Sequence, residues 1–319
     1  MSLRFPKPDS ADEKNFSPIT ASPFGARTIW PQGLSCAATL PRWIVPPSVA
    51  MPVITDHRIA LSLPHAPKPA ELHAQMWSPD TPASQPLAPI VLLHESLGCA
   101  AMWRGFPAAL CAATGRAVVA YDRWGFGQST ERTGAMELDF VAREAAHAFA
   151  AVRAHLGIGP FVALGHSIGG GMAVHCAAQY PEACVALITE AAQTFVEPRT
   201  LTGIRAAQAV FSRPESFARL AKYHGEKTRW VFDTWVNTWL SPAFADWRLD
   251  PALPQVRCPT LALHGELDEY GSLEHPQRIA RLVQGPARYM LLPGLRHIPH
   301  LEAMQPVTAA IAEFLQPLP

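Results

Sequence analysis

The sequence carries no excess of either charge. Its 26 lysines and arginines offset 26 aspartates and glutamates, so no global field draws phosphate backbones or anionic lipid towards it. No basic run interleaves with aromatic residues, and neither nucleic acid nor membrane is an expected partner. Cysteine is sparse and unpatterned. Cys36, Cys99, Cys111, Cys176, Cys184 and Cys258 form no C-x-x-C pair, which argues against a zinc site or redox dithiol and for small apolar filler in a reducing compartment. No apolar run reaches the ~18 residues of a membrane-spanning helix. The N-terminus lacks the basic segment, apolar run and cleavage site of a signal peptide. A cytoplasmic location is the expectation.

Sustained periodicity is missing from residues 1–50, which hold eight prolines and read as an extended or disordered lead. Organised pattern begins near Met51, itself a candidate start. "HRIALSL" and "ELHAQMW" then alternate apolar and polar residues, as antiparallel strands with one wet face do. "PIVLLH" (89–94), "AVVAYD" (117–122), "FVALG" (161–165), "CVALIT" (184–189) and "PTLALHG" (259–265) are short continuous apolar runs, suited to strands buried on both faces. Helical patterns at 102–114, 139–156, 168–180, 273–284 and 302–315 separate most of them. Strands alternating with helices predict a parallel sheet covered on both sides. About 70 residues separate "CVALIT" from "PTLALHG", more than one crossover helix needs, so an inserted subdomain is expected at 195–251. The domain reading is therefore core at 51–194, insertion at 195–251 and core again at 252–319.

"FVALGHSIGGG" (161–171) reads as strand, turn and helix, with Ser167 between Gly165 and Gly169. A sharp strand-to-helix turn strains its central residue and leaves no room for side chains two before and two after. The hydroxyl is thrust out at a helix N-terminus, where free N–H groups favour negative charge. A serine N-cap explains a lone G-x-S-x-G equally well. A nucleophile also needs a base, and the base an orienting acid, in the order Ser, acid, His beyond successive strands. Asp268 follows "PTLALHG" and His297 follows "RYMLL". Glu266, Glu269 and Glu190 compete for the acid, and His300 for the base.

Together with the "DRWGFGQS" turn (122–129), the acid loop "HGELDEYG" and the histidine loop "RHIPHLE", the elbow "GHSIGG" resembles the landmarks of the α/β-hydrolase fold superfamily across about residues 85–315. The resemblance implies an α/β fold with a mostly parallel eight-stranded sheet flanked by helices, an inserted helical cap, and a catalytic triad of Ser167, Asp268 and His297. The oxyanion donors it implies are the N–H groups of Ile168 and, by position, Ser96, with Leu97 the rival. Glu95 departs from the family's usual His-Gly. Asp122, Arg123 and Gly125 resemble a structural feature, and His166 is read as packing.

Residues 230–247 hold four of the nine tryptophans. Phe232, Trp235, Val236 and Trp239 share one helical face, which either glues the insertion to the core or lines a pocket. Trp235 and Trp239 are the candidate substrate-binding rings. The expected function is a serine hydrolase, free of cofactor and metal, that cleaves a small-molecule ester or thioester with a small to medium apolar or aromatic acyl group. The resemblance also admits a carbon–carbon hydrolase, a lactonase or a cofactor-free haloperoxidase. Serine at 167 speaks against epoxide hydrolase and dehalogenase chemistry. A non-catalytic small-molecule sensor is the reading from another class, and homo-oligomerisation is left open.

Overall fold

Strands β1 (Val53–Leu61), β2 (Ala70–Ser78), β3 (Ile90–Leu93), β4 (Val118–Tyr121), β5 (Phe161–His166), β6 (Cys184–Glu190), β7 (Thr260–Gly265) and β8 (Ala287–Leu292) form one sheet ordered β1-β2-β4-β3-β5-β6-β7-β8. This is seen in a computed structural model that describes residues 51–62, 70–80 and 87–319. The proline-rich stretch 1–50, with Cys36, lies outside the described residues. The two alternating segments pair antiparallel, β1 on β2 and β2 on β4, and every later neighbour is parallel.

Strands β3 to β7 are buried along both faces, as their unbroken apolar runs predict, whereas the edge strand β8 is largely exposed. Successive side chains point to opposite sides and feed two cores. Ile90, Leu92, Val118, Ala120, Val162 and Leu164 meet α1 (Phe106–Thr114) and the terminal helix Met304–Leu315 on one side. Val91, Leu93, Val119, Tyr121, Phe161 and Ala163 join the other core. There they meet α2 (Phe140–Ala146), α3 (Ala148–Leu156) and α4 (Ile168–Gln179).

The single helix expected over 139–156 is two. His147 leaves helical geometry at φ −118° and ψ −83°, although its N–H still reaches Arg143 O at 3.1 Å, so the chain bends without unravelling. Between β6 and β7 lie α5 (Pro198–Phe211), α6 (Pro214–His224) and α7 (Thr228–Trp239). Pro47–Pro319 forms one compact unit, so these helices belong to the same body as the sheet. After β7 come α8 (Glu274–Leu282), a short α9 (Pro299–Glu302) and the terminal helix, α10. Cys99, Cys111, Cys176, Cys184 and Cys258 are free and buried. Among the described residues no helix is long and apolar enough to cross a membrane.

The 122–129 turn is tied to the loop after β3 through one carboxylate. Asp122, 2% exposed, accepts Ala100 N at 2.6 Å, Gln128 N at 2.7 Å and the His73 ring at 2.9 Å. Removing a buried acceptor strands its donors. Asp122→Ala is therefore expected to lower unfolding free energy by about 3 kcal/mol or more in urea titration, against about 0.5 kcal/mol for an ordinary surface change.

Candidate active site

Strand β5 delivers Ser167 to the carboxyl edge of the sheet, and α4 starts at the next residue. Ser167 itself takes φ 55° and ψ −127°, which costs a non-glycine residue ~1–3 kcal/mol. The flanking glycines leave no room for anything larger. A Cβ on Gly165 would fall 2.0 Å from Gly169 O, and one on Gly169 would fall 2.1 Å from Leu93 O. The elbow thus packs backbone to backbone, against its own helix and against the end of β3.

Although Ser167 occupies the N-cap position, its side chain makes no capping bond. Its Oγ lies 3.1 Å from His297 Nε2 instead. His297 Nδ1 lies 2.9 Å from both carboxylate oxygens of Asp268. Asp268 is 1% exposed, and its Oδ1 also accepts Tyr270 N at 2.7 Å and Gly271 N at 3.1 Å. The structure therefore brings Ser167, His297 and Asp268 into one row. The rivals are engaged elsewhere. Glu190 holds His300, with Oε2 2.6 Å from Nδ1 and Oε1 accepting the His300 N–H at 2.6 Å. Glu266 accepts Gly294 N at 2.8 Å, and Glu269 faces Arg296 at 3.5 Å.

The loop after β3 separates Ser96 from Leu97. Leu97 gives its N–H to the Glu95 carboxylate, while Ser96 N–H has no protein acceptor among the described residues. Ile168 N–H, in the first turn of α4, is one of the donors a helix leaves without an internal partner. The glutamate that departs from the expected glycine thus occupies one amide and leaves its neighbour unengaged.

Residues 88–238 match a family model described as alpha/beta hydrolase fold. The chain has the α/β-hydrolase fold. It is 26% identical over 213 residues to a non-heme haloperoxidase of Rhodococcus erythropolis, covering 57% of this chain and 76% of that protein. It is 28% identical over 209 residues to the serine hydrolase BPHL of Mus musculus, covering 62% and 69%. A proline iminopeptidase structure from Mycobacterium smegmatis superposes with a TM-score of 0.62 at 23% identity, covering 82% of this chain and 98% of that one.

In this α/β-hydrolase fold a narrow cavity lies where Ser96 and Arg123 meet α7. Phe126, Phe140, Trp235 and Trp239 line it. Trp239 is 3% exposed and packed into the core behind, whereas Trp235 is half-buried and faces Tyr270, whose ring centroid lies 4.6 Å from that of His297. The other two tryptophans pack: Trp230 Nε1 donates to Gly134 O at 2.8 Å, and Trp247 stacks on Phe244. Arg123 also reaches the cavity, a position its structural reading missed.

Two residues near Ser167 make contacts that the sequence reading did not anticipate. His166 is buried and donates from Nε2 to the His297 carbonyl at 2.7 Å, burial having driven its pKa down to about 3 so that the ring is neutral. Gln193 Oε1 lies 3.2 Å from Ser167 Oγ. Its place just beyond the carboxyl end of β6 is the one signal that could have flagged it. Among the described residues no group of three or more His, Cys, Asp and Glu side chains could hold a metal ion.

Burial pushes the Asp268 carboxyl up, but His297 beside it pulls harder and brings it to about 2. Burial likewise disfavours charge on His297, yet the Asp268 carboxylate outweighs it and holds the imidazole above its ordinary 6.5. A base must be unprotonated to act. With p-nitrophenyl acetate, kcat/KM should climb about tenfold per pH unit on the acid side and level off at a midpoint above 6.5. A midpoint at or below that value would contradict the Asp268–His297 pairing.

Proposed function

We propose that the chain is a serine hydrolase that cleaves a carboxylic ester or thioester of a small to medium apolar or aromatic acid through an acyl-enzyme. The observation carrying this reading is the unbroken row from Asp268 through His297 to Ser167, with 2.9 Å and 3.1 Å contacts. Its geometry suits proton removal from an otherwise weak nucleophile. His297 Nε2 takes the hydroxyl proton as Oγ attacks the carbonyl carbon, and Asp268 stabilises the imidazolium. The N–H groups of Ile168 and Ser96 are the available donors for the oxyanion. His297 returns the proton to the leaving group, and water repeats the sequence on the acyl-enzyme.

The cavity supports the acyl preference. Its aromatic lining favours apolar carbon, and its narrowness favours a short chain or one ring over a long one. The relatives named a haloperoxidase and a serine hydrolase are consistent with triad chemistry without fixing the acyl group. Carbon–carbon hydrolysis and lactone opening use the same three side chains. A sensor that binds without turnover is disfavoured because it has no use for an aligned base.

Ser167→Ala should lower kcat by about 10⁴-fold or more with little change in melting temperature, since the lost hydroxyl caps nothing. Activity within tenfold of wild type would end this reading. Each buried methylene is worth ~0.8 kcal/mol, or about fourfold in kcat/KM, until the cavity is full. Across p-nitrophenyl esters, propionate to hexanoate and benzoate should therefore exceed acetate and laurate. Trp235→Ala should move that optimum to bulkier acyl groups, whereas an unmoved optimum would assign Trp235 to packing alone.

A further inference from the structure

Among the described residues, two side chains touch Ser167 Oγ: His297 and Gln193. Gln193 is 2% exposed, and its amide has no other protein partner among the described residues. A buried amide is normally hydrogen-bonded at both ends. Here its one protein hydrogen bond among the described residues is to the reacting oxygen. The backbone also strains to put it there. Strand β6 ends at Glu190, and Ala191 takes φ 51°, a left-handed turn that a side chain rarely adopts. The Ala191 N–H stays on Leu263 O at 2.9 Å, so the turn is anchored to β7 as the chain swings Gln193 back towards the elbow.

The protons available decide which end of the amide faces the serine. His297 gives its Nδ1–H to Asp268 at 2.9 Å, which leaves Nε2 bare and in need of the single hydroxyl proton of Ser167, 3.1 Å away. The hydroxyl then has no proton left for an amide oxygen and offers only lone pairs. The structure places Gln193 Oε1 against Oγ, and a half-turn of the amide exchanges its oxygen and nitrogen. With Nε2 towards Ser167, the contact runs from Gln193 to Ser167 to His297 to Asp268 with every shared proton accepted once. We infer that Gln193 is a further catalytic residue, donating its Nε2–H to Ser167 Oγ. This rests on the acyl-enzyme reading of the same site.

The donor acts unequally on the two half-reactions. In deacylation a water proton passes to His297 as water oxygen bonds the acyl carbon. The carbon–Oγ bond then breaks, its electron pair goes to Oγ, and His297 returns the proton there. Gln193 keeps both its protons throughout. Its N–H meets the charge gathering on the departing oxygen, the situation in which a fixed donor is most effective. In acylation the same hydrogen bond occupies a lone pair of the attacking oxygen, so the net gain is small.

Pre-steady-state hydrolysis of p-nitrophenyl acetate separates the two steps. Gln193→Met, similar in volume but without a donor, should keep the burst of p-nitrophenol and slow the steady rate after it by about tenfold or more; Gln193→Glu, with a carboxylate against Oγ, should slow it by about 100-fold or more. Because acyl-enzyme accumulates, kcat and KM should fall together in Gln193→Met, with kcat/KM within about threefold of wild type. A purely structural role would not produce that split. A steady rate within about twofold of wild type overturns the inference. So does faster acylation, the behaviour expected if the amide oxygen were holding back the serine proton. If Gln193→Met does not fold, Gln193→Asn withdraws the amide by one methylene and is held to the same outcomes. A wild-type chain that shows neither burst nor labelling of Ser167 removes the acyl-enzyme reading itself, an outcome distinct from an unaltered variant.

Discussion

The left-handed backbone of Ser167, φ 55° and ψ −127°, is the constraint on which the site depends. Such a conformation costs ~1–3 kcal/mol and persists only where its surroundings hold it. They do so on three sides. Ser167 N–H is given to Glu190 O on the neighbouring strand at 2.8 Å, and Gly170 N–H returns to Ser167 O at 2.9 Å. Gly169 lies so close to β3 that even a methyl group would meet Leu93 O at 2.1 Å. The elbow is thereby fixed to the strands on either side, and the hydroxyl cannot relax into a helix cap.

A second layer under the elbow holds His297. The carboxylate of Glu190, the residue that accepts Ser167 N–H, grips the ring and the N–H of His300. Burial opposes its charge, but His300 keeps its carboxyl below the ordinary carboxylate value. Trp103 packs against both His300 and His166, with ring centroids 4.7 Å and 6.3 Å away, and the two histidine rings lie 5.1 Å apart. His166 then donates to the His297 carbonyl. Ser167 and His297 are thus set by one buried cluster, and a change at Glu190 or His166 reaches both.

Much of this was legible in the sequence because each legible feature is local. Glycines at 165 and 169 announce a turn without room for side chains, and continuous apolar runs announce strands buried on both faces. Asp268 and His297 were readable because carboxyl ends of parallel strands converge on one edge. What stayed hidden depends on contacts distant in sequence. His166 needed a carbonyl 131 positions away, and Gln193 needed the Ala191 turn, which no glycine advertises. The choice between Ser96 and Leu97 turned on where the Glu95 carboxylate points, which spacing does not carry. The single helix expected over 139–156 failed at His147, inside an alanine-rich run with no proline or glycine to mark the bend.

The central claim is that Ser167 carries the acyl group during turnover. Acid quenching within the first turnovers of a p-nitrophenyl ester, followed by intact-mass and peptide mass spectrometry, tests it most directly. One acyl adduct per chain, on the peptide containing Ser167 and lost in step with product release, is the predicted result. Turnover without an adduct, or with the adduct on another residue, would contradict it.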